Sequence, residues 1–490
     1  MWIFLIAVCP GLGFVLYVLV QFHRESARGK QPELRPLDSL ARQAHLERVV
    51  TMDPLKKRSI KDRSQLKESP IGTTGNIVLL ATMIGLAWTQ ATRGQTTEMP
   101  TIERGNSHAV RNQTDDLALA GEQGAPSNPP AIQRSDPQWA YGGFLDAAYL
   151  LDFNHPTNDL FRSRGTTYKV DEPILNMEAT YLRKSTSDSS RWGLELTLQG
   201  GQDSRIFGFS ATAPNLAGSQ WLRHLGATDV SYLVPVGKGL TVQAGIFSSF
   251  IGYDSLYAKD NFNYTRPWGA DFTPYLMMGV NASYPFTNKL TGTVFVVNGY
   301  WHLADANHMP SSGGRVAYKL TDHTTLKETV LFGPHQSDTG FEFWRFLWDS
   351  IAEWKTDRIT TAFEYHVGSE KVAATASPRA LWMFSQLPVH WNFSRNWSAT
   401  VRPEVYWDRD GRMTGFPQTV KANTTTLEYR IAYRQAAAIV RLEHRIDDSR
   451  GPGGGFFRGG FVAPGMVGLT PTQNLLILGV IVTFDSHFQP

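Results

Sequence analysis

The feature that most restricts this chain is an alternation that begins at Trp139 and runs almost to the end: segments of about ten residues with apolar side chains at every second position, separated by turn-type residues. Period two marks a strand with one face in an apolar medium, and none of these segments continues as a long apolar helix. About sixteen candidate strands follow one another, from 139–152 at the start to 473–485 at the end. Their connections alternate as well. The joins after every second strand are tight, at 186–190, 237–238, 287–288, 321–322, 356–357, 394–395 and 435–436, whereas the others are long, for example 202–223, 251–273, 409–421 and 448–472. A soluble sandwich has no reason to gather all its short turns at one end. An outer-membrane barrel has short periplasmic turns and long extracellular loops, and an even strand number returns both termini to the periplasm. The fold class expected is therefore all-β, a transmembrane antiparallel barrel of about 16 strands occupying 138–490.

The two faces of the strands differ in chemistry. In the segment near 396–408, Val401, Val405 and Trp407 oppose Arg402, Glu404, Tyr406 and Asp408. Near 423–434, Leu427, Tyr429, Ile431 and Tyr433 oppose Glu428, Arg430 and Arg434, and near 437–447, Val440, Leu442 and Ile446 oppose Arg441, Glu443, Arg445 and Asp447. An Arg or Lys facing mid-bilayer hydrocarbon costs about 2–4 kcal/mol, so these ten charged residues are expected to line an aqueous lumen. Five arginines face five acids, which leaves ion preference open. The last segment is different, because Leu475 to Val482 is apolar on both faces and is assigned by position alone. Aromatics gather beside the short turns (Tyr284, Phe286, Tyr318, Trp354, Trp391, Phe393, Trp397 and Tyr433), as in an interfacial girdle.

The N-terminal part is organised differently. Residues 2–22 are apolar for a length that could span a bilayer, and 1–51 read as an apolar helix with a basic extension, an arrangement consistent with a start assigned too far upstream. Residues 52–95 have the order of a secretory signal peptide, with a second short anchor helix as the alternative: a basic stretch after Met52, an apolar run from Ile77 to Trp88, then small residues. A polar linker follows at 96–137, rich in Pro and Gly. The single cysteine, Cys9, excludes an intramolecular disulfide framework, and a net charge of +3 gives no electrostatic case for a nucleic-acid partner.

The barrel region also resembles the OmpL-like β-barrel porin family of type 2. The likeness rests on GFLDAAYLLDFNHP (143–156), LVPVGKGLTVQAGIFSSFIGYDSLYAKDNFNYTRP (233–267), VVNGYW (296–301), RPEVYWDRDG (402–411), LEYR (427–430), LEHRIDDS (442–449) and the closing GVIVTF (479–484), taken in that order and spacing. The resemblance implies an outer-membrane barrel of porin type in a Gram-negative cell, with the barrel-assembly machinery as a partner. The chain departs from that pattern in its N-terminal extension and in the tail after Phe484.

Porin selectivity is set by charges at a narrow point, often on a loop folded into the lumen. The best candidate is the loop 251–273, with Asp254, Lys259, Asp260, Arg266 and Asp271. The function expected is passive diffusion of small polar solutes through a charged lumen, by a protein in contact with outer-membrane lipid and compatible with a homo-oligomer. The alternative is a plugged barrel that binds or adheres through its long loops. An outer-membrane hydrolase has less behind it: no GxSxG or HExxH occurs, and His302 and His308 have no third metal ligand to join them. The run GPGGG at 451–455 has no accompanying Lys or helix and reads as an extracellular loop. No cofactor or metal is expected, and the protein is not expected to be an enzyme.

Overall fold

In a computed structural model of the chain, residues 139–488 are described except for 208–218, 301–302, 304–308, 337–339, 374–377 and 464–465. The expectations for 1–137 and for His302 and His308 fall outside these residues.

Consecutive strands pair antiparallel, and the first pairs with the last, so the sheet closes on itself. In chain order the wall is β1 (Trp139–Asp152), β2 (Pro173–Lys184), β3 (Trp192–Gly200), β4 (Leu225–Val234), β5 (Leu240–Ser248), β6 (Leu276–Pro285), β7 (Leu290–Val297) and β8 (Ser311–Lys319). It continues with β9 (Thr324–Pro334), β10 (Trp344–Lys355), β11 (Ile359–Glu370), β12 (Ala380–Gln386), β13 (Val389–Asn392), β14 (Trp397–Asp408), β15 (Gln418–Tyr433) and β16 (Ala436–Arg450). The ring is completed by β19 (Thr472–Phe488), while β17 (Phe456–Ala463) and β18 (Met466–Thr470) form a separate hairpin in the last long loop. Both β12 and β13 lie between β11 and β14, so they are two halves of one wall strand and the barrel has sixteen. This wall strand is broken at Pro388, which has no N–H to give to the ladder.

The short joins share a device. In five of the seven a hydroxyl at the start of the turn accepts a backbone N–H two or three residues on: Ser187 from Ser190, Thr287 from Leu290, Thr321 from His323, Thr356 from Ile359 and Ser394 from Trp397, all at 2.9–3.2 Å. Such turns fix the hairpin register locally, and the register then decides which side chains face in. In the join between β4 and β5, Gly237 and Gly239 instead adopt φ of 56° and 95°, which favours glycine.

Outward positions carry the apolar residues of the sequence pattern. Leu196, Leu198, Val230, Val294, Leu427, Leu442, Leu478 and Val480 are all exposed on the outer wall, with Phe286, Tyr318, Trp354, Trp391, Phe393, Trp397 and Tyr433 toward the short turns. Leu442 lies near mid-strand on β16, so Leu442→Arg is expected to cost about 2–4 kcal/mol in lipid vesicles, as read by denaturant unfolding. A loss below about 0.5 kcal/mol would mean that this face does not meet hydrocarbon.

Candidate functional site: a loop held inside the barrel

The loop between β5 and β6, residues 249–275, is almost entirely buried although it belongs to no sheet. It is buried because it lies within the ring and touches strands around most of the circumference. Phe250 accepts at its carbonyl from Thr329 of β9 (2.9 Å), and the Gly252 N–H donates to Asp349 of β10 (2.9 Å). The Tyr257 hydroxyl donates to Gln199 of β3 (2.7 Å), and the Phe262 ring stacks on His390 of β13 at 4.2 Å. Asn263 donates to Thr426 of β15 (2.7 Å), and the Trp268 indole donates to Asp447 of β16 (2.7 Å).

The charged wall of β14 to β16 acts on this loop directly. Arg441 donates to the carbonyls of Ala258 (2.7 Å), Asn261 (2.6 Å) and Asn263 (3.1 Å) while its Nε holds Glu428 (2.8 Å). Glu443 accepts from the N–H groups of Tyr264 (2.6 Å) and Thr265 (3.0 Å) and from the hydroxyls of Thr265 (2.5 Å) and Thr426 (2.6 Å). Arg445 bridges Glu404 (3.0 Å) and Asp447 (2.8 Å) and reaches the Arg266 carbonyl (3.0 Å). Glu404 receives the Trp268 N–H (2.6 Å), and Arg402 faces Asp254 at 3.9 Å.

These inward charges are therefore not bathed in water at the level of the loop, contrary to the expectation of an aqueous lumen along the whole wall. Arg402, Arg441, Glu443, Arg445 and Asp447 are at most 1% exposed, because loop carbonyls and amides stand where solvent would be. Asp408 has a different surrounding: it accepts the N–H groups of Arg412, Met413 and Thr414 at 2.7–2.9 Å and so caps the next extracellular loop. Arg430 is partly exposed and lies 3.6 Å from Glu428. Arg434 leaves the wall altogether. It sits in the tight turn after β15 with φ 52° and is exposed, because the strand ends one residue before it.

The five loop candidates separate in the same way. Asp254 accepts from Gln386 at 2.6 Å, and burial raises its carboxyl pKa against the opposing charge of Arg402. Arg266 pairs with Asp203 at 2.7 Å with both side chains fully buried, and burial pushes Asp203 up to about 6 although Arg266 pulls it down. Asp271 pairs with Arg164 at 3.0 Å and accepts from the Thr166 hydroxyl (2.7 Å). Lys259 and Asp260, paired with each other at 2.6 Å, keep the most exposure, at 16% and 33% of their side chains against 8% for Asp254.

Sequence reasoning missed Arg164 and Asp203, which come from the two preceding long loops and extend the inward structure. It also had no reason for the apolar inner face of β19. Leu475, Ile477 and Ile481 are fully buried there, in one cluster with Tyr264, Trp268 and Phe272 of the loop. Gly479 lies among them, and a Cβ at that position would stand 2.3 Å from the Tyr264 ring, so the strand needs glycine for the loop to seat.

A closed sixteen-strand barrel with a lipid-facing apolar exterior, an aromatic girdle and an inward-folded loop between its fifth and sixth strands defines an outer-membrane β-barrel of porin type. The chain belongs to the family described as Putative beta-barrel porin-2, OmpL-like, whose model matches residues 139–484. No curated protein sequence matches the chain. Among solved structures it is similar to the trimer form of OmpT from Vibrio cholerae, at 9% identity over 72% of this chain and 100% of that one, with a TM-score of 0.45. It is also similar to an anion-selective porin from Comamonas acidovorans, at 11% identity over 72% and 100% of the two chains with a TM-score of 0.44. OpdO of Pseudomonas aeruginosa follows at 10% identity, 72% and 98% coverage and a TM-score of 0.39. The protein resides in the outer membrane, as its family does.

Proposed function

We propose that the protein is a narrow porin-like channel through which small polar solutes cross the outer membrane by diffusion, and that the loop 249–275 sets its narrowest point. One observation carries this reading: the loop lies across the barrel interior and is bound by the charged wall of β14 to β16 instead of projecting from the rim. A barrel built only to anchor external loops has no need of such a wall. Lys259 and Asp260, the loop charges that keep the most contact with solvent, are the residues we assign to solute selection. The family consists of porins, and no catalytic role is proposed.

Purified protein in planar bilayers is expected to give stepwise, ohmic currents of small unit size. Exchange of Lys259 and Asp260 for Gln and Asn should shift the reversal potential in a salt gradient without loss of the barrel's heat-modifiable gel mobility. Folded protein that passes no current under any applied voltage would instead support the second reading, a plugged barrel that binds through its external loops. That reading draws on the near-complete burial of Arg402, Arg441 and Arg445.

A further inference from the structure

A second cluster inside the barrel takes part in the loop's anchoring through one Asp349 oxygen and leaves other polar atoms unpartnered. On β10 and β11, Asp349, Glu364 and His366 each offer one ligand atom, and these atoms lie within 4.8 Å of one another. The hairpin register brings them together. Asp349 is directly opposite His366, and Glu364 is two residues along the same strand, so all three side chains point to the same inner face. Their exposures are 1%, 2% and 0%.

Its hydrogen bonding is incomplete, as it is for Arg402 of the wall network, but here unpartnered atoms belong to side chains that converge on one point. Neither ring nitrogen of His366 has a hydrogen-bond partner, and one oxygen of Asp349 also has none, although each is fully buried. Leaving such groups unpaired costs about 1–3 kcal/mol each, so a native structure ordinarily supplies a partner. The partner cannot be the neighbouring side chains. The Phe384 ring lies 4.9 Å from the imidazole and Tyr406 6.4 Å away, which closes that side with apolar surface, and the Nδ1 of His366 is 3.9 Å from the nearer Glu364 oxygen. The other Asp349 oxygen is occupied by the Gly252 N–H, and Glu364 holds Gln386 at 2.5 Å. Hydrogen bonds of this kind orient carboxylates toward a shared ion.

We propose that Asp349, Glu364 and His366 bind a divalent transition-metal cation of the zinc class at the foot of the inward loop. One imidazole and two carboxylates are a zinc donor set, and the imidazole favours such ions over calcium or magnesium, which take oxygen ligands. Ligand atoms around zinc at about 2.0–2.2 Å stand roughly 3.4 Å apart in a tetrahedron, so separations that reach up to 4.8 Å need to contract by up to about 1.4 Å. The Gly252 N–H, 2.9 Å from its Asp349 acceptor, ties the start of the loop to the cluster.

The full chain, folded in detergent and passed over a gel-filtration column after incubation with Zn2+, is expected to retain one more equivalent of metal by mass spectrometry than His366→Ala. Glu364→Gln and Asp349→Asn keep shape and hydrogen bonding while removing charge, and each should weaken retention at least tenfold. Heat-modifiable mobility identifies the variants that fold, and either isosteric variant carries the comparison should His366→Ala not fold. Equal retention by wild type and the folded variants, or none by wild type at micromolar Zn2+, would overturn the proposal. The measurement does not depend on whether the pore conducts, so its failure is separable from failure of the channel reading.

Discussion

Replacement of Arg441 by alanine is expected to lower the stability of the folded barrel by about 3–5 kcal/mol, the cost of breaking a buried ion pair by removing one partner. The argument rests on what the guanidinium leaves behind. Glu428 loses its 2.8 Å partner and keeps Arg430 at 3.6 Å, while the carbonyls of Ala258, Asn261 and Asn263 lose their donors at a fully buried position. Three carbonyls and a carboxylate can be met by one planar, five-donor group and not by an ammonium. Arg441→Lys should therefore recover part of the loss at most. Urea unfolding in lipid vesicles reads both variants, and an alanine variant within about 1 kcal/mol of wild type would show that the fan of bonds contributes little. Because the loop is released while the wall remains, the same variant should give noisier and larger currents.

The second large effect concerns passage. Exchange of residues 253–273 for a short Gly-Ser linker should raise single-channel conductance several-fold and admit sugars that wild type excludes, since it removes the backbone that lies across the ring. Arg402, Arg441, Glu443, Arg445 and Asp447 would then meet water. The inward wall charges of β14 to β16 comprise four arginines (402, 430, 441, 445) and five acids (404, 408, 428, 443, 447), a net of −1, so the widened pore should discriminate weakly between cations and anions. Unchanged conductance would show that the loop is not the limiting element. Two silent proteins would move the block to the Arg164 and Asp203 loops, which also reach the interior.

The barrel was legible because its two determinants are local. Alternation along β14 to β16 reports which side chains meet hydrocarbon, and the hydroxyl-led turns set the register that carries this information to the next strand. What failed to show was anything decided by contact across the lumen. The apolar inner face of β19 looked like a weak strand, and only Tyr264, more than two hundred residues earlier, explains Gly479. Arg434 shares the parity of its charged neighbours yet stands in a turn, since periodicity does not mark where a strand stops. The cluster of Asp349, Glu364 and His366 was recoverable in principle. The tight join at 356–357 places residue 349 opposite residue 366, but reading it required pairing two strands by register instead of reading each alone.

Tyr264 touches both sides of the seam where the ring closes: its hydroxyl donates to Asp146 of β1, and its ring packs on Gly479 of β19. The pocket that receives it is thus made from the two ends of the barrel sequence and does not exist while they are apart. Full seating of Tyr264 therefore requires the closed ring, and the seated tyrosine spans the junction as a rivet that resists its reopening.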